Sequence, residues 1–175
     1  LGADVHPYIP HRIDDGYGLH NDSLDRVAAM GAKLVITVDC GIRSPREVAY
    51  GTTLGMDIIV TDHHSIQKDG EGRDILPPAL AVINPRQQGD PYPFKDFAGA
   101  GIAFKLMQAL IRTDREKPTN GAPARLNTGD LLDLVALGTV ADVAPLLGEN
   151  RSLVQLGLNS LNGRTRDGRS MGPRR

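Results

Sequence analysis

Apolar and polar residues follow two different spacings in the early part of the chain. Apolar side chains recur at helical spacing from Leu24 to Met30, and Gly31 follows as a helix stop signal. The next apolar run, 34–38, is almost continuous, which predicts a strand covered on both faces. These patterns therefore predict a helix followed by a buried strand.

The same two element types follow between residues 44 and 83. Ser44-Pro45 supplies a capping residue and a proline suited to the first turn of a helix, which Gly55 ends. The apolar run 58–60 predicts the next buried strand, and 79–83 predicts a third. Short connections between strand, helix and strand favour a parallel β-α-β unit over residues 24–62. The predicted fold class is α/β, a parallel β-sheet flanked by helices.

The flanking parts of the chain carry weaker patterns. Further helices are expected around 102–111, 131–137 and 153–161, and the polar segment 113–127 is expected to be an exposed connection. Residues 5–9, which follow a glycine stop signal at position 2, predict one more strand. The Arg-rich segment after residue 162 lacks apolar periodicity and is expected to be disordered. We therefore predict a partial domain at 1–162 and a basic tail at 163–175.

Composition limits the class of protein. A chain of 175 residues with 40% apolar content can bury the core of one ordinary domain. No run approaches the ~18 consecutive apolar residues that would suggest a membrane span, so no membrane partner is expected. The lone Cys40 excludes a disulfide framework and favours a reducing, cytoplasmic location.

Charge is distributed unevenly along the chain. From Arg151 onward there are six Arg and one acidic residue, and the net charge of −1 therefore leaves −6 for residues 1–150. This balance argues weakly against a broad basic interface for nucleic acid. An acidic region is, however, what a site for divalent cations requires.

Residues with metal-binding chemistry follow the two predicted strands of the β-α-β unit. Asp39 comes directly after the first strand, and Asp62-His63-His64 follows the second. Because the carboxyl ends of parallel strands meet at one sheet edge, we expect Asp39 and His63 to approach within roughly 4–6 Å, a metal-bridged distance. Taken singly, such residues are more often turn or surface residues, so the hypothesis depends on the pair.

A third acid, Asp142, lies inside the apolar segment 138–146. Burying a lone carboxylate is costly unless it is paired or binds a metal. Helix termination before Pro145 is the alternative explanation for its position.

Six segments in a fixed order resemble a known family. They are YIPHR with GYGL (8–19), VDCGI (38–42), VTDHH (60–64), VINPR (82–86), YPFKDFAGAGIAFKL (92–106) and GTVADVAPL (138–146). This order is similar to that of the DHH phosphoesterase family, in particular its RecJ-type single-strand-specific 5′→3′ DNA exonucleases. The match covers nearly all of residues 1–162.

The resemblance implies a role for each motif residue. Asp39 corresponds to an aspartate that bridges two metal ions, while His63 and Asp142 correspond to further ligands. Asp62 corresponds to the residue that supports the histidine pair, and His64 to the one that faces the scissile phosphate. A set of carboxylates with one imidazole suits Mn²⁺ or Mg²⁺. The implied reaction is phosphodiester hydrolysis of single-stranded DNA in repair and recombination, with other repair proteins as further partners.

Some residues are weaker candidates for DNA contacts. The substrate-binding candidates are Arg12, Arg86, Gly99 and Gly101. The glycines precede a helix whose free amides could bind a phosphate, although a tight turn with close packing explains them equally well. Solvated surface is the default for the arginines. Three tyrosines could stack on bases, with packing at the edge of the core as the default: Tyr8, Tyr17 and Tyr92.

Two parts of the family pattern have no counterpart in this sequence. They are an upstream D-x-D-G motif and a C-terminal DHHA1-type domain. The resemblance therefore predicts that this polypeptide alone has little nuclease activity. Two other functions remain open: a DHH phosphodiesterase acting on short oligonucleotides or cyclic dinucleotides, and a non-catalytic DHH binding module. Intact Asp39, His63, His64 and Asp142 argue against the last.

Overall fold

A computed structural model describes residues 2–13, 15–119 and 126–163 of the chain. The α-helices within these ranges are α1 (Asn21–Ala29), α2 (Pro45–Thr53), α3 (Gly99–Glu116), α4 (Leu132–Ala141) and α5 (Gly148–Leu161). The strands are β1 (Leu34–Val38), β2 (Asp57–Thr61) and β3 (Ala81–Ile83), and a 3-10 turn covers Thr128–Leu131. In the described part of the chain, none of the helices combines the length and the apolar character needed to cross a membrane.

The chain divides into two compact units. The first comprises Val5–Lys95 and contains the sheet with α1 and α2; the second contains α3, α4 and α5. We refer to them as the sheet unit and the helical unit. The predicted division at residue 162 stays a prediction, because nearly all of the tail lies outside the described residues.

The sheet confirms the predicted β-α-β unit. Its order is β1-β2-β3 and both pairings are parallel. In the register of the first pair, Leu34 lies opposite Asp57 and Val38 opposite Thr61, so β1 and β2 end side by side. The helix α2 connects these two strands, as parallel pairing requires. The α/β fold class is therefore confirmed.

The core of the sheet unit lies on one face of the sheet. Its fully buried members come from α1, α2, β2 and the turn before β2: Leu24, Val48, Met56, Ile58 and Val60. A Cβ added at Gly51 would lie 2.6 Å from Ile58 Cδ1, so this glycine lets α2 approach the strand closely. Burial of each large side chain contributes about 1.5–3 kcal/mol, which fixes the strands that carry the site.

The prediction that the first strand is covered on both faces is wrong. Leu34, Ile36 and Val38 are 49%, 42% and 53% exposed, respectively. Val35 packs against the core and Thr37 is buried, so α1 and α2 cover only the face to which these alternate residues point. The apolar content of a strand is therefore not sufficient to predict whether one or both faces of the sheet are covered.

Three local predictions also need correction. Residues 5–9 form no strand; Pro7 lacks an N–H, and Val5 and Ile9 are 76% and 88% exposed. Ser44 is the N-cap residue of α2, but its side chain makes no capping hydrogen bond. The exposed connection was expected to start at residue 113, but α3 continues to Glu116.

The helical unit is held together by close approach of its helices. A Cβ at Gly157 would lie 2.2 Å from Leu132 O, and one at Gly138 would lie 2.6 Å from Ala100 Cβ. Asn150, which is fully buried, donates to Asp96 O at 2.6 Å and to Pro145 O at 3.0 Å. These contacts fix the start of α5 and the turn that follows α4.

Candidate metal centre

Backbone and hydroxyl hydrogen bonds hold the ends of the strands together. The Asp39 N–H donates to Thr61 O at 3.0 Å, and the Asp62 N–H donates to Ile83 O at 3.1 Å. Thr61 Oγ1 donates to Thr37 O at 2.6 Å. The two candidate motifs therefore leave the sheet at adjacent points on one edge.

The turn after β1 places Asp39 in an unusual backbone conformation. Its φ is 64°, in the left-handed region that a residue with a side chain adopts at a cost of about 1–2 kcal/mol. Gly41 follows with φ 104°, and a Cβ there would lie 3.1 Å from Thr37 Oγ1. Strain of this kind is found at functional sites, where the surrounding structure holds it in place.

Four residues at this edge bring possible metal ligands together. One ligand atom from each of Asp39, Asp62, His63 and His64 lies within 4.8 Å of all the others. His63 Nε2 and Asp39 Oδ1 are 2.9 Å apart, so the predicted convergence is confirmed and is closer than expected. This distance is that of an ion pair between the two groups, and it also places both ligand atoms within reach of one bound cation.

Both carboxylate oxygens of Asp62 accept hydrogen bonds from neighbouring residues. It is 1% exposed, and its Oδ2 accepts the Ile42 N–H at 3.0 Å. Its Oδ1 accepts the backbone N–H groups of His63 and His64 at 2.7 and 3.1 Å. It also lies 2.6 Å from His64 Nδ1. Because both oxygens are engaged by protein donors, the arrangement favours Asp62 as a support for the histidine pair over a direct ligand.

His64 is held from several directions. Asn84, which is 1% exposed, donates from Nδ2 to His64 O at 2.9 Å. With Nδ1 against Asp62, the second ring nitrogen is directed away from that carboxylate and lies 3.3 Å from Tyr17 Oη. Arg43 fixes the following residue by donating to Ser65 O at 2.9 Å and to Ser65 Oγ at 2.7 Å.

The donor set fits a hard divalent cation. Asp39 Oδ1 and His63 Nε2 are both shielded from solvent and face each other at 2.9 Å, so either a proton on the imidazole or a cation bound by both groups satisfies the pair. One carboxylate and one imidazole are ligands that Mn²⁺ accepts, with water or further carboxylates completing the shell. Burial, with the negative charges of Asp62 and Asp39, raises the pKa of Cys40 to about 11, so its thiol stays protonated near neutral pH.

The remaining predicted residues have different surroundings. Asp142 is exposed and forms the C-cap of α4, as expected for a helix end; its role as a ligand stays a prediction. Arg12 is exposed, and Arg86 is exposed while donating from Nε to Lys95 O at 3.2 Å.

Gly99 and Gly101, the other substrate-binding candidates, are buried in the first turn of α3. A Cβ at Gly101 would lie 2.8 Å from Phe97 Cδ1, so close packing accounts for that glycine. The DNA contacts proposed for the arginines and glycines stay predictions.

Sequence reasoning named Tyr17 only as a base-stacking candidate and missed that both Tyr17 and Asn84 contact His64. Each of these two contacts had a usable signal. Gly16 and Gly18 flank Tyr17 and both have left-handed φ, a pattern that favours a tight turn presenting one side chain. Asn84 directly follows the strand predicted at 79–83, where an Asn that becomes buried needs hydrogen-bond partners.

Comparison with known proteins identifies the class to which this fold and site belong. Residues 1–139 match the model of the DHH family, N-terminal domain, and the chain therefore belongs to the DHH family.

Two of the relatives that the chain matches carry a more particular name. The chain is 47% identical over 174 residues to the single-stranded-DNA-specific exonuclease RecJ of Salmonella typhimurium, covering 96% of this chain and 29% of the relative. It is 42% identical over 161 residues to the protein of the same name from Bacillus subtilis, covering 92% of this chain and 18% of that relative. The chain thus spans less than a third of the length of either relative.

A solved structure supports the fold assignment. A crystal structure of exonuclease RecJ bound to manganese matches with a TM-score of 0.71 at 40% identity, covering 91% of this chain and 37% of that one. The family resemblance drawn from the six motifs is confirmed by these matches.

Proposed function

We propose that the edge formed by Asp39 and His63 is part of a divalent-metal centre that hydrolyses phosphodiester bonds in single-stranded DNA. The reaction would release mononucleotides from the 5′ end, in DNA repair and recombination. The observation that carries the proposal is the 2.9 Å approach of an imidazole nitrogen to a shielded carboxylate oxygen on a strained turn.

Each site residue has a distinct part in this proposal. Asp39 and His63 hold Mn²⁺ or Mg²⁺, and Asp142 is proposed as a further ligand. A bound ion would lower the pKa of a coordinated water and neutralise charge on the phosphate. Asp62 fixes the backbone and ring of the histidine pair. His64, held at Nδ1 by Asp62, is the residue that faces the scissile phosphate in this proposal.

The names of the relatives support single-stranded DNA as the proposed substrate. Those of Salmonella typhimurium and Bacillus subtilis are named single-stranded-DNA-specific exonucleases, and manganese is bound in the matching crystal structure. We therefore infer single-stranded DNA as the partner of this chain, with Arg12 and Arg86 as candidate phosphate contacts. A cytoplasmic location and contacts with other repair proteins complete the proposal, the former supported by the single free Cys40.

A chimera provides the test. The residues of this chain replace the matching segment of the Salmonella relative, and digestion of 5′-labelled single-stranded DNA is followed with Mn²⁺. We expect release of mononucleotides by the chimera, little or none by the present chain alone, and loss of release in Asp39→Ala and His63→Ala. Asp57→Ala, which changes an exposed acid on β2, is the matched control and should stay active. Digestion that is unaffected by Asp39→Ala would contradict the proposed centre.

The same assay distinguishes the two alternatives. A phosphodiesterase for short oligonucleotides would lose activity as the strand lengthens, whereas an exonuclease would degrade long strands progressively from one end. A non-catalytic module would bind the strand without shortening it under any of these conditions.

A further inference from the structure

Tyr17 reaches into the candidate metal centre from a segment 22 residues before Asp39. Its Oη lies 3.3 Å from His64 Nε2 and 3.4 Å from Asp39 O. The Tyr17 and His64 rings stand edge to face, with centroids 6.2 Å apart and planes at 77°. This arrangement is a favoured geometry for an aromatic pair.

The segment around Tyr17 is built to hold that side chain in place. Gly16 and Gly18 have φ of 79° and 98°, values that a residue with a side chain rarely adopts. The backbone is fixed between them, because His20 Nε2 lies 3.0 Å from Tyr17 O. Tyr17 is 66% exposed, so burial in a core does not explain the position of its side chain.

The hydrogen-bond chemistry gives the contact a direction. The carboxylate of Asp62 accepts hydrogen bonds, so the neutral His64 ring favours a proton on Nδ1 and a lone pair on Nε2. The single hydrogen of the Tyr17 hydroxyl is then shared between two acceptors, the Nε2 lone pair at 3.3 Å and the carbonyl oxygen of Asp39 at 3.4 Å. His64 is therefore held at both ring nitrogens.

We infer that Tyr17 is a positioning residue for the phosphodiester reaction: its hydroxyl fixes the orientation of the His64 ring and links that ring to the turn carrying Asp39. This inference rests on the proposed function, because it assigns Tyr17 to the same site. It adds a residue from the GYGL segment to a centre otherwise built from the ends of β1 and β2.

The first test observes the His64 ring in the present chain. Ring ¹⁵N resonances of the histidines are recorded for the wild type and for Tyr17→Phe, which keeps the ring and removes the hydroxyl. We expect the His64 Nε2 resonance to move downfield when its lone pair loses the phenol donor. Tyr50→Phe is the matched control, because the Tyr50 hydroxyl donates to Asp25 at 2.7 Å instead of to His64. An unchanged His64 spectrum in Tyr17→Phe would overturn the inference.

The second test measures turnover in the chimera described above. Tyr17→Phe should lower kcat by about tenfold and change KM little, since misplacing a reacting group slows the chemical step. The Tyr50→Phe chimera should match the wild type, and an unchanged kcat in Tyr17→Phe would refute a positioning role. Failure of the proposed function would give a different result, because the chimera that keeps Tyr17 would itself show no Mn²⁺-dependent digestion. The His64 spectrum of the present chain would in that case still show whether the Tyr17 hydroxyl contacts the His64 ring.

Discussion

Asp62 in the sheet unit and Asp142 in the helical unit, two predicted site carboxylates, differ sharply in exposure. In the sheet unit Asp62 is 1% exposed, and three backbone N–H groups and the His64 ring contact its oxygens. In the helical unit Asp142 is exposed at the end of α4. A carboxylate surrounded by donors fixes the residues around it, whereas the ligand role proposed for Asp142 depends on an ion that binds there. The comparison explains why the sheet unit already shows a defined centre.

Each unit also contains a residue other than glycine with left-handed φ. Within the described residues these are Asp39 at 64° and Val143 at 56°. The strained turn at Asp39 brings its carboxylate to His63, while Val143, next to Asp142, is 87% exposed. A β-branched residue is especially disfavoured in this region of φ. At 87% exposure, the Val143 side chain gains little packing from the described residues to offset that strain.

The largest expected effect is the loss of the buried carboxylate. Asp62→Ala should lower the free energy of unfolding of the sheet unit by about 3–5 kcal/mol, because it leaves buried N–H groups without acceptors. Hydrogen exchange of the β1 and β2 amides, combined with urea unfolding, measures this loss. Asp57→Ala, on the same strand but exposed, should stay within about 0.5 kcal/mol of the wild type. Equal stability of the two variants would remove Asp62 as the organiser of the site.

A smaller effect is expected where the helices of the other unit touch. Gly157→Ala places a Cβ 2.2 Å from Leu132 O and 2.4 Å from Ala136 Cβ. Overpacking of this kind should cost about 1–3 kcal/mol and increase amide exchange in α4 and α5. Gly70→Ala is the control, because nothing lies within 4 Å of the added Cβ. If both variants exchange like the wild type, close helix packing does not hold the helical unit.

The smallest expected effect is a gain in stability at Val143. Val143→Gly relieves the left-handed strain and loses little packing, so the free energy of unfolding should rise by about 0.5–1 kcal/mol. Val5→Gly offers a comparison, since Val5 is 76% exposed and is not among the left-handed residues. Urea unfolding of both variants checks the sign, and a loss of stability in Val143→Gly would show that the Val143 side chain contributes contacts.

The sequence predicted the features that depend on local pattern. Short connections and apolar runs were sufficient for the parallel pair β1–β2, and strand ends were sufficient to bring Asp39 to His63. Helix ends were placed less well, because α3 continues through polar residues to Glu116. The i,i+4 pair of Arg112 and Glu116, at 3.2 Å, supports a helix that apolar spacing does not reveal.

Contacts between distant segments were beyond the sequence patterns. Tyr17 and His64 are 47 residues apart, and their approach depends on a glycine-flanked turn whose direction no periodicity encodes. The exposure of alternate residues on β1 depends on what packs against the sheet, which the apolar run itself does not contain. The role of Asp142 requires its placement relative to the sheet unit, which motif order alone does not provide.

Mn²⁺ binding to the present chain tests the central claim most directly. Titration followed by electron paramagnetic resonance gives the affinity, and broadening of the His63 ring resonances locates the ion. We expect weak binding of Mn²⁺ by the wild type, with broadening of the His63 ring resonances. The Mn²⁺ affinity of Asp39→Ala should be lower on the order of tenfold or more, since even residues that only support the ligands of a metal site contribute this much. Asp57→Ala should bind like the wild type. Equal Mn²⁺ binding by all three proteins, without broadening at His63, would contradict a metal centre at this sheet edge.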